Sequence, residues 1–317
     1  MSVTTLRTVT RTQGNNRALK DGTVRPAGFE FDFEEVPVLI DGFRRMVRGL
    51  EFDVCEMALT TYVCARAHGK RFTALPIFLV RAFHHGAILV NTQAGIRHPK
   101  DLEGRRVGVN RGYTVTTGVW ARSVLRNAYG VDLSKITWVL SGDEHVAEYR
   151  PPANVVPIEP GRKMADLLVG GELAAAIGVD VDAPHVAPLI PDAAEAGYAA
   201  LQATGHYPIN HLVVVKDELL ASHPGLARAV FDAFAQSKRL YVERLRAGTL
   251  DKPTAVDEMH RRVMAITGSD PLPYGIEPNR GALTQALAAM RDQGIVDRSE
   301  TETLEALFHP ETHGLVA

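Results

Sequence analysis

Between Phe72 and Asn91 the chain is apolar over Pro76-Ile77-Phe78-Leu79-Val80, polar at Arg81, His84 and His85, and apolar again over Ala87-Ile88-Leu89-Val90. Both apolar runs are short and nearly continuous, which suits strands buried on both faces better than amphipathic helices. The polar break is therefore expected to be a strand-end site. Upstream, Val3, Leu6 and Val9 alternate with Thr and Arg, predicting a strand over Ser2–Val9, followed by a polar loop over Thr12–Asn16. Asn16–Gly22 reads as a short helix stopped by Gly22, and Phe29–Val36 as a second strand. Asp41–Arg48 has helical spacing, and Phe52-Asp53-Val54 is a brief strand with Glu56 at its end. Glu56–His68 reads as a helix whose first turn holds Glu56, Thr60 and Thr61.

Downstream the alternation continues. Arg105–Val109 is a predicted strand, and Tyr113–Tyr129 a helix whose first-turn amides at Thr114, Val115 and Thr116 offer an anion cradle. Ile136–Val139, Ala174–Val179 and Ile209–Lys216 read as strands, and Pro160–Gly170 as a short helix. Gly142–Pro152 is a charged surface loop, and Ala193–Thr204 is undecided. Glu218–Arg246 reads as helix broken at His223-Pro224-Gly225, followed by helices over Thr254–Thr267 and Arg280–Gln293. Strands alternating with helices predict an α/β protein. The return near Leu212 predicts two lobes with a ligand cleft between them: residues 1–92 and 210–317 forming one lobe, 93–209 the other.

Composition narrows the function. The 317 residues are 45% hydrophobic, enough to fill two cores. Lys plus Arg at 35 against Asp plus Glu at 37 gives no basic excess, so a nucleic-acid partner is not expected and a small molecule is. No stretch has membrane-spanning length and none at the start reads as a signal peptide, so no membrane association and a cytoplasmic location are expected unless a leader has been removed. Cys55 and Cys64, nine positions apart in one helix-like segment, are expected to be reduced thiols. The pattern leaves a homo-oligomer open.

Several segments together resemble the 4,5-dihydroxyphthalate decarboxylase family. They are Asn16-Arg17-Ala18-Leu19 with Asp21-Gly22 and Pro26–Gly28; Glu51–Glu56; Pro76-Ile77-Phe78 with Arg81–His85; Asp101–Gly104 with Val107-Gly108-Val109; Pro208–His211; and Pro273–Arg280. The resemblance implies the two-lobed fold of type 2 periplasmic solute-binding proteins and decarboxylation of a hydroxylated aromatic acid. Two places depart from the family pattern: Asn110-Arg111-Gly112-Tyr113 stands where Pro-Glu-Tyr is expected, and Val179-Asp180-Val181-Asp182 lacks an expected arginine and proline. They leave the substrate more open than the fold.

Decarboxylating an aromatic ring requires a proton for the ring carbon, a cationic clamp for the acid and acceptors for phenols. His85 and His211 are the expected proton donors, with Glu56 holding a histidine tautomer or a phenol. Arg17 and Arg81 are the expected carboxylate clamps. His84, Thr60, Tyr113, Thr114, Tyr274 and Arg280 are the further expected substrate contacts, and lobe closure would bring His85 and His211 against Tyr113. His84, His85, His211 and Glu56 or Asp180 are metal-ligand types. Without HxH or HExxH spacing, no metal is expected, and without GxGxxG or a P-loop, no cofactor. The same arginines would serve a solute-binding receptor for an aromatic or other small carboxylate, the alternative from a different class.

Overall fold

The computed structural model describes residues 3–297 and 303–317, so the expected strand start at Ser2 lies outside the described residues. The strands are β1 (Thr4–Val9), β2 (Phe29–Phe33), β3 (Val54–Ala58), β4 (Phe72–Arg81), β5 (Ile88–Asn91), β6 (Arg106–Val109), β7 (Thr137–Leu140), β8 (Val155–Pro157), β9 (Ala175–Ile177), β10 (Val186–Pro188) and β11 (Ile209–Lys216). The helices are α1 (Arg17–Lys20), α2 (Leu39–Gly49), α3 (Leu59–Ala67), α4 (Thr116–Tyr129), α5 (Met164–Val169), α6 (Ala193–Thr204), α7 (Asp217–Ser222), α8 (Leu226–Ala247), α9 (Ala255–Thr267) and α10 (Arg280–Asp292).

Contacts divide the chain into two compact units. The first is drawn from Met1–Arg81, Ile209–Thr284 and Ser299–Ala317, the second from Ala82–Pro208 and Gln285–Arg298. The expected first boundary, after residue 92, differs from this division because β5 pairs with β9 and β10 of the second unit's sheet. The segment 285–298 also falls in the second unit, where Gln293 accepts a hydrogen bond from the Arg122 guanidinium.

In the first unit the sheet order is β2-β1-β3-β11-β4. β1 runs parallel to β2 and β3, and the returning β11 is antiparallel to β3 and β4. Leu6, Val54, Leu75, Ile77, Val213 and Val215 from these strands meet Leu226, Val230 and Phe234 of α8 in one fully buried cluster. Each such side chain removed from water stabilises the unit by about 1.5–3 kcal/mol before chain entropy opposes it. In the second unit the order is β10-β5-β9-β6-β7-β8, with β5 antiparallel to both its neighbours and β6, β7, β8 and β9 joined by parallel pairs. Its core places Met164, Leu167 and Leu168 of α5 against Val139 and Ala176.

One element boundary differs from the sequence reading in a way that bears on function. Glu56 and Cys55 lie within β3, not in a helix, and α3 starts only at Leu59. β3 is buried at every position because it is flanked by β1 and β11, so pairing outweighs the helical spacing that continues from α3. Cys55 and Cys64 are buried and unbridged, and burial pushes the Cys55 thiol up. β8 and β10 were not legible, since three residues carry too little alternation to read.

Candidate functional site

The tightest juxtaposition of expected site residues is in the first unit, where Glu56 of β3 and His211 of β11 meet across adjacent strands. Glu56 Oε1 lies 2.7 Å from His211 Nδ1. The carboxylate is fully buried, whereas the imidazole keeps 18% of its side-chain surface exposed. Oε2 accepts the Arg11 backbone N–H at 2.9 Å and the Gln13 side-chain amide at 3.5 Å, so the buried charge has three donors. An ionised carboxylate only accepts, which places a hydrogen on His211 Nδ1 and leaves Nε2 as the nitrogen that exchanges a proton. Phe43 of α2 stands edge-on to the imidazole at 5.1 Å and fixes its plane. His211 lies between two register shifts in the β11–β4 pairing, an irregularity of the kind that re-aims a side chain at a strand end.

Arg11 and Gln13 also line a cavity of about 580 Å³ within the first unit. Arg17 lines it too, and Arg244 and Lys252 add two more cations. Ser237, Tyr241, Asp257 and His260 also line it, a set that the sequence reading missed. Its only sequence signal is the spacing of Asp257 and His260 on α9, which is also that of an ordinary helix face. Arg81 ends β4 and is buried; Thr60 is buried in the first turn of α3. Tyr274 is a core residue packed edge-on to Phe231 with Lys238 over its ring, and burial raises its hydroxyl well above the ordinary range. Arg280 pairs with Glu277 and Glu305 on the surface. The structure therefore brings Glu56 and His211 together, sets Arg17 on the adjoining cavity, and gives Tyr274 and Arg280 packing and surface roles.

The remaining expected residues belong to the second unit. His84 is buried and stacks on Trp120, with ring centroids 6.5 Å apart; His206 approaches the same indole edge-on at 5.5 Å. Burial first, then the nearby His206 and His85, brings His84 down to about 3. His85 is lowered by burial and His206. Burial thus favours the neutral form of both rings. The unfolded value, 6.5, lies above the folded value of His84, so acid protonates the unfolded chain first. The stability that neutral His84 contributes is full above pH 6.5 and is lost as pH falls toward 3. The thermal midpoint of His84→Phe is expected to fall less steeply than wild type between pH 6.5 and 4; parallel curves would mean that His84 does not stay neutral.

The anion cradle expected at the start of α4 is occupied by the protein itself. Glu144 accepts the Tyr113 and Thr114 backbone N–H groups and the Thr114 hydroxyl, the last at 2.7 Å. A Cβ on residue 112 would lie 2.6 Å from Glu144 Oε2, which is why this turn needs Gly112. The preceding Arg111 has a positive φ of 71°, held by its N–H donating to Ser141 Oγ at 2.7 Å. Gly112→Ala is expected to displace the carboxylate and cost about 1–3 kcal/mol in urea unfolding, the penalty of partly buried donors left unmade. An unchanged midpoint would show that Glu144 does not hold the turn. The Tyr113 ring is buried against the Arg122 guanidinium at 3.8 Å, so its expected substrate contact gives way to a cation–π contact inside the unit.

Among the described residues, no group of three His, Cys, Asp or Glu is arranged to hold a metal ion, and no helix is long and apolar enough to cross a membrane. No family model matches the chain. A 4,5-dihydroxyphthalate decarboxylase of Comamonas testosteroni is 31% identical over 315 residues, covering 93% of each chain. A protein of the same name from Pseudomonas putida is 34% identical over 176 residues, spanning 51% of this chain and 65% of that one. Among solved structures, the desulfurization enzyme DszB matches with a TM-score of 0.55 at 14% identity, over 98% of this chain and 97% of its own. A conserved Candida albicans protein with the generic periplasmic binding protein fold matches at 0.53 and 12% identity, over 96% of each chain. These likenesses bear out the expected fold: two α/β units with mixed sheets, of the periplasmic-binding-protein kind.

Proposed function

The chain belongs to the 4,5-dihydroxyphthalate decarboxylase family, and from that premise we propose a cycle in which His211 protonates the ring carbon bearing the departing carboxylate. The protein is a carboxy-lyase acting on an aromatic acid, and its substrate is a small molecule. In the compound that names the family, each carboxylate has a hydroxyl para to it, so the ring carbon under attack is electron-rich. A proton passes from His211 Nε2 to that carbon. The carbon–carboxylate bond then breaks, its electron pair restores the aromatic ring, and carbon dioxide leaves. His211 regains a proton from solvent. Glu56 holds Nδ1–H throughout and so keeps Nε2 as the transferring nitrogen.

Arg17 and Arg81 supply cationic charge in the same unit, and their role in this reading is to bind carboxylate. The clamp must orient the acid without favouring its charged ground state over the transition state, since only differential stabilisation accelerates the step. The observation that carries the reading is the fully buried Glu56 carboxylate bonded to a His211 that keeps part of its ring exposed.

The test is to incubate the purified protein with 4,5-dihydroxyphthalate and a panel of hydroxylated benzoic acids, with and without chelator, following CO2 release and ring absorbance. Release that survives chelation supports proton transfer by the protein's own groups. Release that chelator abolishes and added metal restores would overturn this cycle and leave the decarboxylase assignment standing.

A further inference from the structure

The cavity of the first unit contains a chain of hydrogen bonds that the proton-transfer cycle does not use. Tyr241 Oη lies 2.6 Å from Asp257 Oδ1 and 2.8 Å from His260 Nδ1. Asp257 also accepts the Thr254 N–H and hydroxyl at 2.7 and 2.8 Å, in the capping box that starts α9. Those donors and the tyrosine hold its carboxyl below the ordinary range although burial opposes them, so it is ionised and accepts. The directions of the chain then follow. Tyr241 must spend its one hydrogen on Asp257, so its oxygen can only accept from His260, and the hydrogen of His260 is on Nδ1. His260 Nε2 is left as a bare acceptor on a ring that lines the cavity. Burial, against the opposing charges of Asp257 and Asp270 and assisted by Arg81, brings His260 down to about 4, so the acceptor persists at neutral pH.

Two further observations point to a ligand. Asn15 and Ser237 both line this cavity and are 2% and 1% exposed, and neither Asn15 Oδ1 nor Ser237 Oγ has a hydrogen-bond partner. Buried polar atoms without partners are uncommon in native proteins and call for an explanation. A carboxamide oxygen and an imidazole Nε2 are acceptors and the serine hydroxyl donates or accepts, so these groups match a ligand bearing hydroxyl hydrogens. The lining carries Arg11, Arg17, Arg244 and Lys252 against Asp21, Asp251 and Asp257, an excess of positive charge that favours an anion. Leu240 and Leu250 supply apolar wall for a ring.

We propose that this cavity recognises the hydroxyl groups of a hydroxylated aromatic carboxylate, with His260 Nε2 accepting a phenol hydrogen and the lining cations holding the acid. Asp257 and Tyr241 act as positioning residues that fix the His260 tautomer. The inference rests on the decarboxylase reading for the ligand's identity, and it makes His260 a determinant of which ring substituents are accepted.

The experiment compares binding of 4,5-dihydroxyphthalate with binding of phthalate, which lacks the hydroxyls, by titration calorimetry at neutral pH. Wild type, His260→Phe, His260→Gln and Ser237→Ala are measured alongside thermal unfolding. His260→Phe is expected to weaken the dihydroxy acid by about tenfold or more, the worth of a buried hydrogen bond left unmade, and to leave phthalate unchanged. His260→Gln, which keeps an acceptor, is expected to restore most of the preference. Ser237→Ala, a small change that leaves the fold intact, is expected to reduce the preference in the same direction. Equal loss for both ligands, or no loss in His260→Phe and Ser237→Ala alike, would overturn the proposal. Turnover by wild type with an unchanged preference in the variants sinks only this inference. A His260-dependent preference in a wild type that releases no CO2 sinks only the proton-transfer cycle.

Discussion

His211→Asn is expected to lower kcat by about 10²- to 10⁴-fold, with a much smaller change in KM, because it removes the nitrogen that delivers the proton. Asn keeps a group that can donate to Glu56 at the near end, so the fold is preserved while Nε2 is lost. Glu56→Gln is expected to reduce kcat as well, by a different route: a neutral amide no longer obliges His211 to hold its hydrogen on Nδ1. The two residues act as a unit, so the double variant should be little worse than His211→Asn alone. Additive losses would mean that Glu56 acts through something other than His211. His211→Ala separates catalysis from stability. It strips the fully buried carboxylate of its 2.7 Å partner and leaves only the Arg11 amide and the Gln13 side chain. Breaking a buried pair on one side costs about 3–5 kcal/mol, and Glu56→Gln in the same background should recover part of that loss. Full turnover in His211→Asn would end the proposed cycle.

How much of this was readable in the sequence depends on the range over which each residue acts. The apolar runs that became β4, β5 and β11 carry their own signal, since a strand buried on both faces must be apolar at consecutive positions. Glu56 and His211 were each legible as candidates, but their 2.7 Å contact joins positions 155 apart and depends on β11 returning antiparallel to β3. A local pattern contains no information about that pairing. Glu56 itself reads as helical because helical spacing from Leu59 onward extends backward through it, whereas pairing on both sides makes the segment a strand. Glu144 shows the same limit from the other direction. The free amides at Tyr113 and Thr114 were legible, but not that a carboxylate 30 residues on would occupy them. His260 was invisible as a site residue because its chemistry is set by Tyr241, brought to it and to Asp257 by the packing of α8 against α9.

Arg122 illustrates the most extreme case and carries a stability prediction as large as that for His211→Ala. It sits in the apolar stretch of α4, where sequence reading gives an ordinary helix, yet its guanidinium is fully buried. Nη2 donates to the Tyr113 carbonyl at 2.6 Å, Nε donates to Gln293 Oε1 at 2.7 Å, and Gln293 returns a bond to the Val119 carbonyl at 3.0 Å. The charge is stacked on Tyr113, and burial lowers its pKa against the opposing pull of Tyr113, Tyr149 and Glu144. Arg122→Ala is expected to cost about 3–5 kcal/mol in urea unfolding, from a vacated volume plus two acceptors left without donors. Arg122→Met discriminates between the two causes. It refills most of the volume without a charge, and replacing a buried cation by an apolar side chain of similar size is often close to neutral. If Met restores most of the stability lost in Ala, the guanidinium is retained for what it positions, namely the Tyr113 carbonyl and the turn that Glu144 closes. In that case Arg122→Met should release the Thr114 amide to faster hydrogen exchange while the global unfolding midpoint barely moves. If Met is as damaging as Ala, the hydrogen bonds themselves hold α4 to the segment around Gln293, and exchange should accelerate along the whole of α4 together.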